Sequence, residues 1–479
     1  MKQSNYGSAL LSLSLDKSND QPLYAQLMHA IRSLILDRKL IGGERLPASR
    51  ELAEELGVSR STITTAYDQL VSEGYLEARQ GSGHFVDPNL PDYNVLPSKM
   101  EKPTTHARVR APLPAPFETA TPELATFPHR DWSRSLELAW RNPDITVLSR
   151  GEPFGWEPLR RAISKHLHDW RGVSCDPSHV IITSGLVESI NVISKTILKP
   201  GDIVLSEEPG FPPLRNALTA NGLDSRYSTV DVAGLDPKLA LKRNCDAKAV
   251  FVTASRQFPL GMTLPVGRRI ELLNWAAAGE RYVVEDDFDS EFRYEGSPLP
   301  AMHSLDNNGR VIYLGSFSKV MFPSLRIGYM VVPNHLVPSI HTALENSNTQ
   351  ASIISQPALV NFMESGAFAT HIRRMRRIYS RRLKAMLSAL ELHGQDLFRI
   401  DQTNSGFHVV AYLRQNLARR MSDVEASNLA MNIGINTKAL SDYFARPSKK
   451  SGLVLGFAAF DESAIAANIE RLCEVLRSR

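Results

Sequence analysis

The sequence predicts a multidomain chain: a small α+β module built on a helix-turn-helix with a wing, followed by a large α/β domain. Three observations carry this expectation. At 479 residues the chain exceeds what one ordinary core supports. Prolines crowd residues 87–117, at Pro88, Pro91, Pro97, Pro103, Pro112, Pro114 and Pro116, with few large apolar residues between them. Proline fixes φ and removes a backbone donor, so this stretch reads as an extended linker. Finally, the residues before the prolines show helical spacing between glycine-marked turns, whereas those after them show buried strands running into helices. The expected boundaries are 16–86 for the small module, 87–117 for the linker and 118–479 for the large domain.

Composition narrows the function classes. A hydrophobic fraction of 43% and a charged fraction of 22% are those of a soluble globular protein. A formal net charge of +4 permits nucleic-acid binding without arguing for it. Cys175, Cys245 and Cys473 are far apart and match no metal-ligand spacing, which argues against a disulfide or zinc framework and suits a reducing cytosol. Residues 9–15 are apolar at alternate positions but too short for a signal peptide, so an ordered arm or short strand is expected. No run approaches the length of a membrane helix, and a cytoplasmic protein without membrane contact is expected.

In the small module, Leu23, Leu27, Ile31, Leu34 and Ile35 space residues 21–37 as a helix that Gly42 and Gly43 end. A short amphipathic helix follows at residues 49–56, closed by Gly57, and Ser59 then caps a helix through Thr62, Thr65, Tyr67, Leu70 and Val71. Two helices joined by a tight glycine turn form a helix-turn-helix. The start of the second helix presents Ser59, Arg60, Ser61, Thr62 and Thr64, residue types that meet phosphates and base edges. Residues 77–86 read as two β segments around Gly81-Ser82-Gly83, a wing carrying Arg79 and His84. The bland alternative is a three-helix structural domain with no DNA role. The blocks Leu46-Pro47-Ala48-Ser49-Arg50-Glu51-Leu52-Ala53, Val58-Ser59-Arg60-Ser61-Thr62 and Gly81-Ser82-Gly83-His84-Phe85-Val86 closely resemble the GntR-type winged helix. That resemblance implies that Arg50, Ser59, Arg60, Ser61, Thr62, Thr64, Arg79, Gly83 and His84 face double-stranded DNA.

In the large domain, Val180-Ile181-Ile182-Thr183-Ser184-Gly185 reads as a buried strand entering an amphipathic helix, whose first amides suit a phosphate. Tyr282-Val283-Val284-Glu285-Asp286-Asp287 reads as a strand ending in carboxylates, which could equally be a solvated acidic loop or a metal site. The stretch Tyr313-Leu314-Gly315-Ser316-Phe317-Ser318-Lys319 sets a lysine just past a strand in a serine-rich turn, with Arg326 following. Such a lysine can form a Schiff base with an aldehyde, and Ser316, Ser318 and Arg326 are donors suited to a phosphate.

These blocks resemble the fold-type I aminotransferases, which implies a large mixed, mostly parallel sheet with a small C-terminal α+β subdomain. Thr253-Ala254-Ser255-Arg256-Gln257-Phe258-Pro259-Leu260-Gly261, Glu285-Asp286-Asp287-Phe288-Asp289-Ser290-Glu291-Phe292-Arg293-Tyr294 and Gly456-Phe457-Ala458 resemble more narrowly the MocR/GabR family of regulators. The resemblance implies pyridoxal 5'-phosphate (PLP) held covalently on Lys319, with Asp286 on the pyridine nitrogen and Phe211 stacked on the ring. Ser184, Gly185, Ser316, Ser318 and Arg326 would then surround the phosphate.

Four departures from the family pattern bear on function. Phe288 stands where the family usually has Tyr, Phe211 replaces a more usual Tyr, and Arg256 stands in a block usually spelled with His. Loss of hydroxyls near the cofactor's 3-oxygen is expected to shift its electronics. The C-terminal strand at 452–458 lacks the Arg with which aminotransferases clamp a substrate carboxylate, leaving Arg256 or Arg446 as substitutes.

Three functions compete. The favoured one is a PLP-dependent transcription regulator, not a turnover enzyme, whose signal is an amine or amino acid joined to PLP, or PLP itself. The missing arginine leans toward PLP itself. The second is an aminotransferase with an accessory winged helix. The third is a DNA-binding protein whose large domain has lost PLP, against which Lys319, Asp286 and Arg326 speak. The resemblance also implies a homodimer, head-to-tail, reading two half-sites of an operator.

Overall fold

The computed structural model describes residues 15–17, 21–90, 115–119, 121–149, 151–296, 299–347 and 350–478. Contacts divide the chain into two compact units, Met1–Ala111 and Pro112–Arg479. Most of the proline-rich stretch at 87–117 lies outside the described residues, as does the arm expected at 9–15 except Leu15, which packs on the small unit's core.

The small unit contains α1 (Leu23–Leu36), α2 (Ser49–Leu56), α3 (Arg60–Ser72), β1 (Leu76–Arg79) and β2 (Gly83–Val86). Helix α1 buries one stripe, Leu27, Ile31, Leu34 and Ile35, against Ile63, Ala66, Tyr67 and Leu70 of α3. It ends at Leu36, one residue short of the expected 37 and ahead of the glycine pair. Arg38 takes a left-handed conformation (φ 56°), and the amides of Lys39 and Leu40 fold back onto the Leu34 carbonyl. Gly57, also left-handed, closes α2 as expected. Strands β1 and β2 pair antiparallel from Leu76↔Val86 to Arg79↔Gly83. Residues 43–46 add to this hairpin, Leu46 N–H donating to the His84 carbonyl and Val86 N–H to the Glu44 carbonyl.

The large unit is organised by an eight-stranded sheet of β3 (Val180–Thr183), β4 (Ile203–Glu208), β5 (Asp224–Asp231), β6 (Gly234–Leu235), β7 (Ala249–Val252), β8 (Tyr282–Asp287), β9 (Val311–Ser316) and β10 (Gly328–Val331). Their order across the sheet is β3-β10-β9-β8-β7-β4-β5-β6. Strands β9, β8, β7, β4 and β5 are mutually parallel, whereas β10 runs antiparallel to both of its neighbours. Strand β3 therefore points the same way as β9. The carboxyl ends of β3, β4, β7, β8 and β9 open on one edge, where such sheets bind ligands.

The central strands are buried along their length because helices cover both faces. On one face Ile181, Val204, Val284 and Ile312 pack against Ile190 and Ile193 of the helix Leu186–Thr196. On the other, Leu205, Val250 and Val283 pack against Leu272 and Leu273 of the helix Val266–Ala278. A smaller antiparallel sheet follows, of β11 (Phe398–Ile400), β12 (His408–Leu413), β13 (Lys438–Ala439) and β14 (Gly452–Gly456), ordered β11-β12-β14-β13. The fold class read from the sequence is the one observed.

Candidate functional site

In the small unit, hydroxyls gather at the first turn of α3. Ser59 Oγ accepts from Thr62 N–H at 3.2 Å and lies 2.7 Å from Ser61 Oγ and 2.8 Å from Thr62 Oγ1. This turn carries the positive end of the helix dipole, a setting that favours an anion. Arg60 leaves the same turn with Nε donating to Ser49 Oγ at 3.3 Å, and Arg50, Ser61 and Thr64 are exposed beside it.

The wing residues differ in their freedom. Arg79 is paired to Glu77 at 3.1 Å and lies 4.5 Å from the Phe85 ring centre. The half-buried His84 ring sits 4.9 Å from that of Tyr67, so it braces the wing on the core. Sequence reasoning missed Arg45. It is exposed, bridges to Phe85, and has its guanidinium beside exposed Gly83. Its neighbours on the wing are distant in sequence, so no local signal marks it.

In the large unit, Lys319 lies in the turn after β9 and Asp286 near the end of β8, the adjacent parallel strand. The pleat separates the two carboxylates that the sequence left side by side. Asp287 is 6% exposed and held by Arg171 Nε at 2.8 Å, Tyr313 Oη at 2.5 Å and Ser290 Oγ at 2.9 Å. Asp286, half-buried, lines an open cleft with Glu207, Phe211, Arg215, Tyr227 and Phe258. One aspartate anchors the fold while the other faces the cleft.

Electrostatics single out the same groups. Burial pushes the Asp286 carboxyl up to about 7, helped by Asp287, Asp289 and Glu207, while Lys319 draws it down. Burial pulls the Lys319 amine down to about 8 against the pull of Asp289 and Asp286. An amine near 8 has about a tenth of its population neutral at pH 7, far more than an ordinary lysine, and the neutral form is the one that attacks a carbonyl. Glu207, which accepts from Thr253 N–H at 2.9 Å and Thr253 Oγ1 at 2.6 Å, is likewise raised by burial to about 7. Sequence reasoning did not single out Glu207, because nothing local distinguishes it from Glu208 next to it.

The residues expected around a phosphate converge at the start of β10. Gly328 pairs with Thr183 on one side and Ser316 on the other, which brings the 183–185 and 316–318 turns together. A Cβ on Gly328 would fall 2.8 Å from Gly185 Cα, so only glycine allows this approach. Gly185 precedes the helix Leu186–Thr196 without a side-chain cap, and a Cβ there would be 4.0 Å from Arg326 Nη1. An anion is already attracted to this helix start: the Glu188 carboxylate accepts from Ser184 N–H. Ser318 N–H donates to Ser316 Oγ at 3.2 Å.

Phe211, Phe288, Tyr443 and His408 all pack against Phe258, with ring centres 5.2–5.6 Å away. Strand β14 carries no arginine, as its sequence requires. Of the two suggested substitutes, Arg446 is exposed and Arg256 is buried against Asp289. Among the described residues, no cluster of His, Cys, Asp and Glu could hold a metal ion, and no helix is long and apolar enough to cross a membrane.

The fold and these two sites define a class: a helix-turn-helix reader joined to a unit of aminotransferase architecture. Residues 23–86 match the family described as bacterial regulatory proteins, gntR family, and residues 146–447 match aminotransferase class I and II. The probable rhizopine catabolism regulatory protein MocR of Rhizobium meliloti is 35% identical over 96% of this chain and 95% of its own. The HTH-type pyridoxine biosynthesis transcriptional regulator PdxR of Corynebacterium glutamicum is 34% identical over 95% of this chain and 96% of its own. A solved kynurenine aminotransferase of Pyrococcus horikoshii, in complex with PMP, superposes with a TM-score of 0.69 at 27% identity, over 76% of this chain and 91% of that one. The chain belongs to the MocR-type transcription regulators, in which a GntR-family helix-turn-helix is fused to a class I and II aminotransferase unit.

Proposed function

We propose that this regulator binds PLP in the large unit and couples its occupancy, or that of an amino compound, to operator binding by the small unit. One observation carries the proposal: Lys319, in the turn after β9, and Asp286, near the end of the adjacent β8, lie at the ligand-binding edge and act electrostatically on each other. The residues present suit the group. The cleft holds more acid than base, which favours a cationic ring nitrogen, and a helix start that attracts an anion favours a phosphate.

Lys319 would hold PLP through its ε-amino group, and Asp286 would keep a proton on the pyridine nitrogen. Phe211 would cover the ring, and Ser184, Gly185, Ser316, Ser318 and Arg326 would take the phosphate. When bound, PLP supplies an aldehyde carbon open to reversible condensation with amines, and a ring that withdraws electrons. Burial keeps the Lys319 amine partly neutral and so ready to engage that carbon, while the aromatic residues around Phe258 exclude water. In the small unit, Arg50, Arg60, Ser59, Ser61, Thr62 and Thr64 would meet DNA at the start of α3. Arg79, Gly83 and His84 would form the wing contact.

The reading takes 16–86 as the DNA reader, 87–117 as a linker and 118–479 as the effector unit. It takes the assembly as a head-to-tail homodimer in the cytoplasm, with no catalytic turnover. The test is an ultraviolet–visible titration with PLP alongside DNA binding to the protein's own upstream region. A visible band whose appearance changes DNA affinity is the expected result. Steady multiple turnovers of an amino donor with a keto acid would instead favour the aminotransferase reading.

A further inference from the structure

The wing presents two exposed arginines on one outward face, and their surroundings differ. Backbone pairing sets that face. Phe85 pairs with Glu77 on one side and bridges to Arg45 on the other, and Arg79 pairs with Gly83. Directly opposed residues of antiparallel strands share a face, as do alternate residues along a strand. Arg45, Phe85, Glu77, Gly83 and Arg79 therefore stand together, while Leu46, His84 and Val86 turn toward the small unit's core.

Arg79 is already engaged. Its Nε and Nη2 both donate to Glu77 Oε2, at 3.2 and 3.1 Å, and its guanidinium covers the Phe85 ring. Arg45 has no acidic partner among the described residues. The acid beside it, Glu44, accepts from the Ile41 amide at 3.0 Å, within its own turn. Gly83 decides where the Arg45 head lies. A Cβ at Gly83 would fall 3.6 Å from Arg45 Nε and 3.7 Å from Nη2, so the guanidinium runs along bare backbone. Gly83 also has φ +101°, a conformation that side chains rarely adopt. The glycine that shapes the turn thus leaves the arginine beside the wing tip at 81–83, an exposed ridge whose one side chain is Ser82. An unmatched guanidinium at the rim of such a ridge suits a phosphate.

We infer that Arg45 is a phosphate ligand of the wing: its guanidinium binds a backbone phosphate of the operator beside the 81–83 tip. The inference rests on the reading of α3 as the DNA-facing helix and adds to that surface a cation from the segment before α2. Phosphate contacts fix position without reading bases, so Arg45 contributes affinity and register rather than base choice.

The test measures binding of the full-length protein to its own upstream region across a series of salt concentrations. Each phosphate contact contributes about 0.9 to the slope of log affinity against log salt. Arg45→Gln is expected to lower that slope by about one for each reader bound, roughly a fivefold loss of affinity per reader near physiological salt. Arg45→Lys keeps the charge and is expected to restore the slope. Lys39→Gln removes an exposed charge elsewhere on the unit and is expected to leave the slope as it is. All three side chains changed are exposed, so thermal melting should match native. A native slope in Arg45→Gln, while Arg60→Ala weakens binding, overturns the inference and leaves the α3 reading standing. An equal fall in Lys39→Gln overturns it as a general charge effect. A slope that Arg45→Lys fails to restore also overturns it, because the contact then needs the geometry of a guanidinium, as a base edge does. If neither Arg45→Gln nor Arg60→Ala changes affinity, the α3 reading falls as well.

Discussion

The two neighbouring aspartates at the end of β8 are predicted to fail in opposite ways when each is neutralised. Asp287→Asn leaves Arg171 buried without its counter-charge and disturbs the acceptor shared with Tyr313 and Ser290. Removing one partner of a buried ion pair costs about 3–5 kcal/mol, which for a unit of this size corresponds to a fall in Tm of about 4–6 °C. Asp286→Asn breaks no such network. It removes one carboxyl from an acidic cluster, so the PLP-free protein is expected to melt at the native temperature or above it. Its effect falls on the cofactor: losing a charge-assisted hydrogen bond of about 1.5–3 kcal/mol weakens PLP binding by roughly 10- to 150-fold. Both variants are compared by thermal denaturation without PLP and by titration of the visible band. If Asp286→Asn unfolds the protein while Asp287→Asn folds normally but loses PLP, the division of labour argued from the pleat is wrong.

Lys319→Ala should abolish the visible band produced by PLP while leaving Tm within a few degrees of native; an unchanged spectrum would exclude the lysine as the point of attachment. Arg60→Ala should weaken operator binding at physiological salt and leave the PLP titration alone, so equal DNA affinity in the two proteins would count against the α3 reading. Glu207→Gln tests the raised carboxyl. The folded-state pKa of Glu207, near 7, lies above its ordinary value, so the native protein loses stability as pH rises through the window from about 4.5 to 7. The glutamine variant does not titrate there, and its Tm relative to native should climb between pH 5 and pH 8. A Tm difference that stays constant with pH would refute this.

Much of the site was legible because its residues stand at strand ends followed by diagnostic turns. Lys319 follows an apolar strand in a serine turn, and Ser59 follows a glycine stop. These are local patterns, and local physics enforces them. The division between Asp286 and Asp287 was not legible, since it depends on which face of β8 meets Arg171, a residue far earlier in the chain. Arg45 was missed for the same reason, because it joins the wing only through pairing with Phe85. The end of α1 was legible to within a residue, although the left-handed arginine at 38 that follows it leaves no mark in composition. Arg256 was noted as a departure, but its enclosure between Asp289, His408 and Gly406 draws on segments that only the folded sheets bring together.

Among the described residues, every side chain in the small unit's core, from Leu27 to Val86, comes from that unit. In the proposed function, the reader is then expected to stay folded whether or not a ligand is bound to the large unit. In the proposed homodimer, what remains adjustable is the separation and mutual orientation of two intact readers. Control then becomes a matter of effective concentration: each half-site contact stays as strong as before, and only the chance that both are made at once changes.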